Sequence, residues 1–339
     1  MTGNDMSATL TSLTDQVLPV EAGAEVTGLG WLGRTAAFAL ADGSVLLVPP
    51  EGEPRRAAVH PDGAVLAAAT DGKRIVTGGD DGRVVATGPD GTAREFAASS
   101  GWVDALAVHP SGAVAFAAGR RVTALDDKGR AKSWDAPSSA RGLAFAPKGY
   151  RLAVAHYGGA TLWYPNLDTP PELLSWKGSH LDVTWSPDGR FVVTSMQENA
   201  MHGWRLQPDR GHMRMTGYAG KPRSFSWSFG GAWLATSGAD AAIVWPFGSK
   251  EGPTGKAPRE CGLRHARVMR VAFHPHVNVL AIGYEDGCVL LVRFEDGAEL
   301  LARRPAEGSA ITALAWDAKG GRLAFGAADG QAGILVLSA

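Results

Sequence analysis

The sequence predicts an all-β fold, a single closed β-propeller of about eight four-stranded blades, with seven blades as the alternative. Three observations predict it: one phrase recurs along the whole chain, tight hairpin turns recur at a fixed place after it, and the chain stops one strand short of a full unit.

The phrase is an apolar residue, a small one, a large apolar one, then a turn that ends in glycine. Val183-Thr184-Trp185-Ser186-Pro187-Asp188-Gly189 is the clearest copy, and Leu106-Ala107-Val108-His109-Pro110-Ser111-Gly112 is another. The third residue falls at Trp31, Ala68, Val108, Phe145, Trp185, Trp227, Phe273 and Trp316, with spacings of 37, 40, 37, 40, 42, 46 and 43 residues. Propeller blades repeat at roughly 40–45 residues. A large aromatic recurring at one repeat position reads as blade-to-blade packing rather than as a ligand cage.

Each phrase leads into a second apolar run, such as Phe191-Val192-Val193-Thr194 or Val279-Leu280-Ala281-Ile282. A turn follows, often Asp-Gly, as at Asp42-Gly43, Asp81-Gly82, Asp286-Gly287 and Asp329-Gly330. Asp-Gly between apolar runs signals a hairpin because both residues tolerate positive φ. A third run, such as Val289-Leu290-Leu291-Val292, and a more polar fourth complete the unit. Inner strands covered on both faces are apolar, and the outermost is free to be polar.

The last unit ends after its third run, Ile334-Leu335-Val336-Leu337, whereas Gln16-Val17-Leu18-Pro19-Val20 precedes the first unit and reads as an orphan fourth strand. Pairing these two would close the ring and leave no open edge at the seam. The chain accordingly divides into an N-terminal tail, residues 1–15, and a propeller, residues 16–339.

Composition narrows the function. Lysine plus arginine total 33 and aspartate plus glutamate 34, a formal net charge of −1, so nothing points to nucleic acid or an anionic membrane surface. Two cysteines make no disulfide framework and fit a reducing compartment. No apolar run reaches the roughly 18 residues of a membrane helix, and the N-terminus lacks a signal-peptide core. The expectation is a cytoplasmic protein of bacterial style.

The chain resembles the WD-repeat propellers from about Gln16 to Ala339, as a divergent bacterial-type member. The resemblance rests on the Ser-Pro-Asp-Gly and His-Pro-Ser-Gly turns, the Asp-Gly turns, Trp204 and Trp245 late in third strands, and His180 and His265 before first strands. No third strand ends in Trp-Asp and the paired Gly-His is missing, so the family's buried His–Ser/Thr–Asp–Trp network is expected to be incomplete in most repeats. The resemblance implies a protein–protein interaction scaffold, with the loops before first strands and between strands two and three sharing a top face. On that face it places Trp102, Arg141, Tyr157, His180, Arg223, Arg267 and Arg270 as candidate binding residues for an unidentified protein or peptide. Acidic residues there, among them Asp104, Asp182 and Glu285, make the face mixed in charge.

No cofactor is expected. Cys261, His265 and Cys288 are the candidate metal ligands, joined in sequence by His274 and His276, but no paired short spacing supports a zinc site. No nucleophile elbow, phosphate loop or metalloprotease motif occurs, so the chain does not read as an enzyme. An enzyme or metal-dependent protein using the central channel is the alternative. Residues 247–258, rich in glycine, proline and lysine, account for the 46-residue spacing and read as a mobile bottom-face insertion.

Overall fold

The computed structural model describes residues 11–207 and 210–337. Every copy of the phrase forms an innermost strand. These are Val26–Leu32, Val65–Thr70, Ala105–Val108, Gly142–Phe145, the second half of Glu172–Trp185, Phe225–Trp227, Val268–Phe273 and Ile311–Trp316. The inner strands neighbour one another around a channel, and Ile311–Trp316 lies against Val26–Leu32, so the ring is closed.

Among the described residues the strands join into seven sheets, the alternative blade count, and not the eight separate blades expected. The reason is local. Five sheets have four strands, one has five, and one has six, which carries repeats four and five together. Glu172–Trp185 runs 14 residues without a break, pairing with Leu152–Trp163 through its first half and Phe191–Met196 through its second. Leu152–Trp163 likewise carries the second and third strands of repeat four through Tyr157-Gly158-Gly159. Gly178 bends the long strand at φ 122°, a region that side chains rarely adopt. With no loop between repeats four and five, counting phrases and counting continuous sheets give different numbers.

Ring closure follows the sequence. Val17–Glu21 lies antiparallel to Gln331–Val336, with Val17 opposite Leu335 and Glu21 opposite Gln331. Pro19 is tolerated because the strand is an outer edge and needs only one ladder. Val20, Val26, Phe38 and Ile334 share one buried cluster across the seam. Gly326 is needed there, since a Cβ would lie 2.6 Å from the Val26 side chain. The segment read as a tail contributes one more element: Thr11–Ser12 pairs in parallel with Glu299–Arg303, and the Leu13 N–H donates to the Leu301 carbonyl at 2.7 Å.

Neighbouring repeats are tied by their recurring tryptophans. The indole N–H groups of Trp31, Trp185 and Trp316 donate to the carbonyls of Ala315, Ala144 and Ala272 at 3.0, 3.0 and 3.1 Å. Trp227 donates to the Thr184 hydroxyl at 3.0 Å. Each acceptor is the second residue of the phrase in the preceding repeat, on the free edge of an inner strand. One side chain thus fills the space between sheets and satisfies a polar group that has no ladder partner.

The insertion after Phe247 is anchored rather than free. Phe247 is buried edge-on against Phe191 and Trp227, and Lys256 Nζ donates to Ser249 Oγ at 2.6 Å. Gly252 and Pro253 are buried, with Gly252 packed close to the Phe191 ring. No helix among the described residues is long and apolar enough to cross a membrane.

Candidate functional site

Loops before the inner strands and turns between second and third strands meet at one end of the ring. The Ala64 N–H donates to Asp80 Oδ1 at 2.8 Å, and the Tyr157 N–H to Ser138 Oγ at 2.8 Å. This end is the expected top face. Trp102 and Tyr157 stand on it 66% and 67% exposed, with Leu263 at 66%. Large side chains this open on loops are not held there by core packing, and aromatic and arginine residues are the usual anchors of interfaces.

The channel mouth at this end holds a cavity of about 280 Å³, lined in part by Thr27, Asp104, Arg141, Asp182, Ser195 and Arg223. Arg141 donates to Asp104 at 2.9 Å, a pair joining the loops of neighbouring repeats. Asp182 sits at the start of its inner strand, half-buried, with Oδ1 accepting from the Val183 N–H at 2.8 Å. Burial in the channel wall lifts its carboxyl to about 6, against the opposing pulls of that N–H and of Arg270. Gly142 leaves the room that this packing needs, since a Cβ there would lie 2.5 Å from the Asp182 Cα. The Ser195 hydroxyl, fully buried at the cavity wall, has no hydrogen-bond partner among the described residues. A buried hydroxyl without a partner is costly and marks a place where a guest group or a water would be held.

Arg270 is pinned along the wall, donating from Nε to the Thr312 carbonyl at 2.6 Å and from Nη1 to the Met269 carbonyl at 3.0 Å. Burial holds its guanidinium below the usual range; Asp182 opposes this, and the like charge of Arg223 adds to it. Arg223 is exposed, and its guanidinium makes no hydrogen bond or ion pair among the described residues. Arg267 is exposed too, but its charge faces Glu285 at 3.8 Å. Among the described residues the mouth therefore offers Arg223 as a cation without a partner, beside the Arg141–Asp104 pair and the Asp182 carboxyl.

His180 is corrected. It is fully buried, with Nδ1 at 2.7 Å from Thr194 Oγ1 and Nε2 at 3.1 Å from the Trp176 carbonyl, so both ring nitrogens are spent inside the sheet. It belongs to a structural node that sequence reading found only in part. In repeat two, His60 lies between Thr77 at 3.0 Å and Asp81 at 2.9 Å, a buried His–Thr–Asp set. In repeat six, Tyr218 replaces the histidine: its hydroxyl meets Thr236 at 2.7 Å and accepts from Trp245 Nε1 at 2.6 Å. Sequence reading missed His60 because it opens His60-Pro61-Asp62-Gly63, the same kind of tetrapeptide as the turn after a first strand. It missed Tyr218 because the residue type differs.

The candidate metal ligands are not brought together. Cys261 and Cys288 are buried with Tyr284 and Val268 in one apolar cluster, whereas His265 is exposed. Burial raises both thiols, Cys288 to about 11, which disfavours the thiolate that a metal requires. Among the described residues no three histidine, cysteine, aspartate or glutamate side chains converge on a metal position. His274 and His276 close a turn, meeting the carbonyls of Gly320 and Ala318 at 3.0 and 2.9 Å.

The family described as the anaphase-promoting complex subunit 4 WD40 domain matches residues 271–338. No curated protein matches the sequence. The fold is similar to the computationally designed Ika8 protein, with a TM-score of 0.75, 19% identity, and coverage of 93% of this chain and 96% of that one. It is also similar to the C-terminal WD40 domain of Sif2, with a TM-score of 0.74, 11% identity, and coverage of 95% and 99%. With four-stranded units around a channel, indoles linking neighbouring repeats, and a buried His–Thr–Asp set in repeat two, the fold is a β-propeller, similar to that of a WD40 domain, and residues 271–338 match a WD40 family model.

Proposed function

We propose that this propeller is a scaffold that presents the top mouth of its channel, and the loops around it, to a protein or peptide partner. WD-repeat propellers generally act as protein–protein interaction scaffolds. The observation that carries the reading here is the coincidence, on one face, of Trp102, Tyr157 and Leu263 left open with a free Arg223 and a cavity whose wall holds an unpartnered hydroxyl. An apolar rim supplies contact area, and the polar mouth supplies orientation. Two free, buried cysteines suit a reducing compartment, and we place the protein in the cytoplasm on that ground.

The reading is tested by affinity capture from the native host with the intact chain and with a variant carrying Trp102→Ala, Tyr157→Ala and Arg223→Glu. These side chains are exposed, so the variant should melt as the parent does. A partner retained by the parent and lost by the variant supports the top face. A partner retained equally by both places the contact elsewhere.

A further inference from the structure

The cavity in the channel mouth is small and polar, and three groups on its wall keep hydrogen-bonding capacity unused. At about 280 Å³ it lies below the usual size of a pocket for a drug-sized ligand and suits one side chain or one small acid. The Ser195 hydroxyl is fully buried without a partner among the described residues. The Arg223 guanidinium makes no hydrogen bond or ion pair among them. Asp182 spends Oδ1 on the Val183 N–H at 2.8 Å, and no donor among them hydrogen-bonds its Oδ2. Asp182 and Ser195 are direct cross-strand partners in repeat five, and Arg223 reaches the same cavity from the entry loop of repeat six.

The charge left over at this wall is positive. Arg141 and Asp104 neutralise each other at 2.9 Å. Arg270, behind the wall, donates to two carbonyls and is drawn electrostatically to Asp182, which sets one base against one acid. Arg223 is then the lining charge without a counterpart. Outside the lining, Arg267 is paired with Glu285, and Lys221 and Glu25 are one of each sign. Resting on the top-face reading, we infer that the mouth receives a carboxylate of the partner, which accepts from Arg223 and from the Ser195 hydroxyl and lies beside Asp182. Two neighbouring carboxyl groups are tolerated when one holds a proton, and burial has already lifted the Asp182 carboxyl to about 6. A guest anion disfavours its ionised form further, so binding takes up a proton, and Asp182 Oδ2 then donates to the guest. Arg141, Arg223 and Arg270 keep their charge through this range. His180, on the same strand, is kept neutral by burial. Affinity for a carboxylate therefore falls as pH rises through the Asp182 value. An ammonium guest reverses the sign, because it prefers Asp182 ionised.

The test is an NMR titration of the intact chain with acetate, acetamide and methylammonium, followed at the amides of the mouth and at the Asp182 carboxyl carbon. The range runs from about pH 5, where acetate is mostly ionised, to about pH 8. Acetate should bind best, and its affinity should fall roughly tenfold for each unit by which it raises the Asp182 pKa. Arg223→Gln and Ser195→Ala should each weaken acetate at least roughly threefold. Both should keep the parent melting temperature, since Arg223 is exposed and the second change removes an unsatisfied hydroxyl. Asp182→Asn keeps the acceptor for the Val183 N–H and should make acetate binding independent of pH. N-acetyl-aspartyl amide and N-acetylglycine then separate a side-chain carboxylate from a chain-terminal one, the tighter naming the source. Several results would overturn the inference: no acetate binding, acetamide, methylammonium or inorganic phosphate bound as well as acetate, affinity flat or rising with pH in the parent, or acetate indifferent to both weakening variants. The top-face reading would stand in each of them, because Trp102 and Tyr157 play no part in the titration. That reading fails on a different result, a partner retained by the triple variant.

Discussion

The imidazole of His202 lies fully buried between Trp176, with ring centroids 3.9 Å apart, and Trp204 at 4.7 Å, and neither ring nitrogen has a hydrogen-bond partner among the described residues. Burial pushes its pKa down to about 3, with His212, His180 and Arg214 adding like charge. A group whose folded value is depressed contributes stability that is present above its unfolded value, near 6.5, and is lost as pH falls. His156 and His180, lowered by burial too, act in the same direction. Asp182 opposes them: its carboxyl is raised to about 6, so its contribution is complete at low pH and is lost as pH rises through that value. Urea melts from pH 7 to pH 4 should show falling stability, and His202→Phe should flatten the fall. An unchanged slope in that variant would remove His202 from the account. Trp185→Phe tests the inter-repeat bond, since it deletes the donor to the Ala144 carbonyl while keeping an aromatic ring. A loss of about 1 kcal/mol is expected, against roughly 3–5 kcal/mol for Trp185→Ala.

At the scale of the element, the closing strand makes a directional prediction. Val20 is buried among Val26, Phe38 and Ile334, while Leu18, two residues earlier, is 58% exposed. Val20→Asp places a lone carboxylate in the seam and should cost roughly 3 kcal/mol or more. Leu18→Asp should stay within about 0.5 kcal/mol of the parent. Equal effects at the two positions would mean that the strand is not seated in this register. This strand was legible in the sequence because a missing fourth run at one end and a spare run at the other are complementary. The inner strands were legible because the phrase joins an alternation to a turn. The fusion of repeats four and five was not legible: Trp176-Lys177-Gly178-Ser179-His180 carries no Asp-Gly or proline to mark continuity or a break, and only the backbone at Gly178 decides it. Part of the candidate site was hidden for a different reason. Sequence placed Arg223 and Arg270 in one arc, but whether a charge is free or spent depends on neighbours from other repeats, such as Thr312 for Arg270 and Glu285 for Arg267.

For the whole molecule, the ring separates support from recognition. Sheet-to-sheet packing, indole bonds and the N-terminal closure hold the inner strands, so the loops of the top face can carry open aromatic and charged residues without unfolding the core. The faces also differ: the top gathers a polar mouth with an apolar rim, and the flank between repeats eight and one carries an apolar groove. Hydrogen exchange of the intact chain, with and without its captured partner, tests the central claim most directly. Slowed exchange is expected in residues 99–104, 136–141, 157–159 and 216–224, the loops that surround the mouth. Protection confined to the bottom turns or to the outer strands, with these loops unchanged, would contradict it.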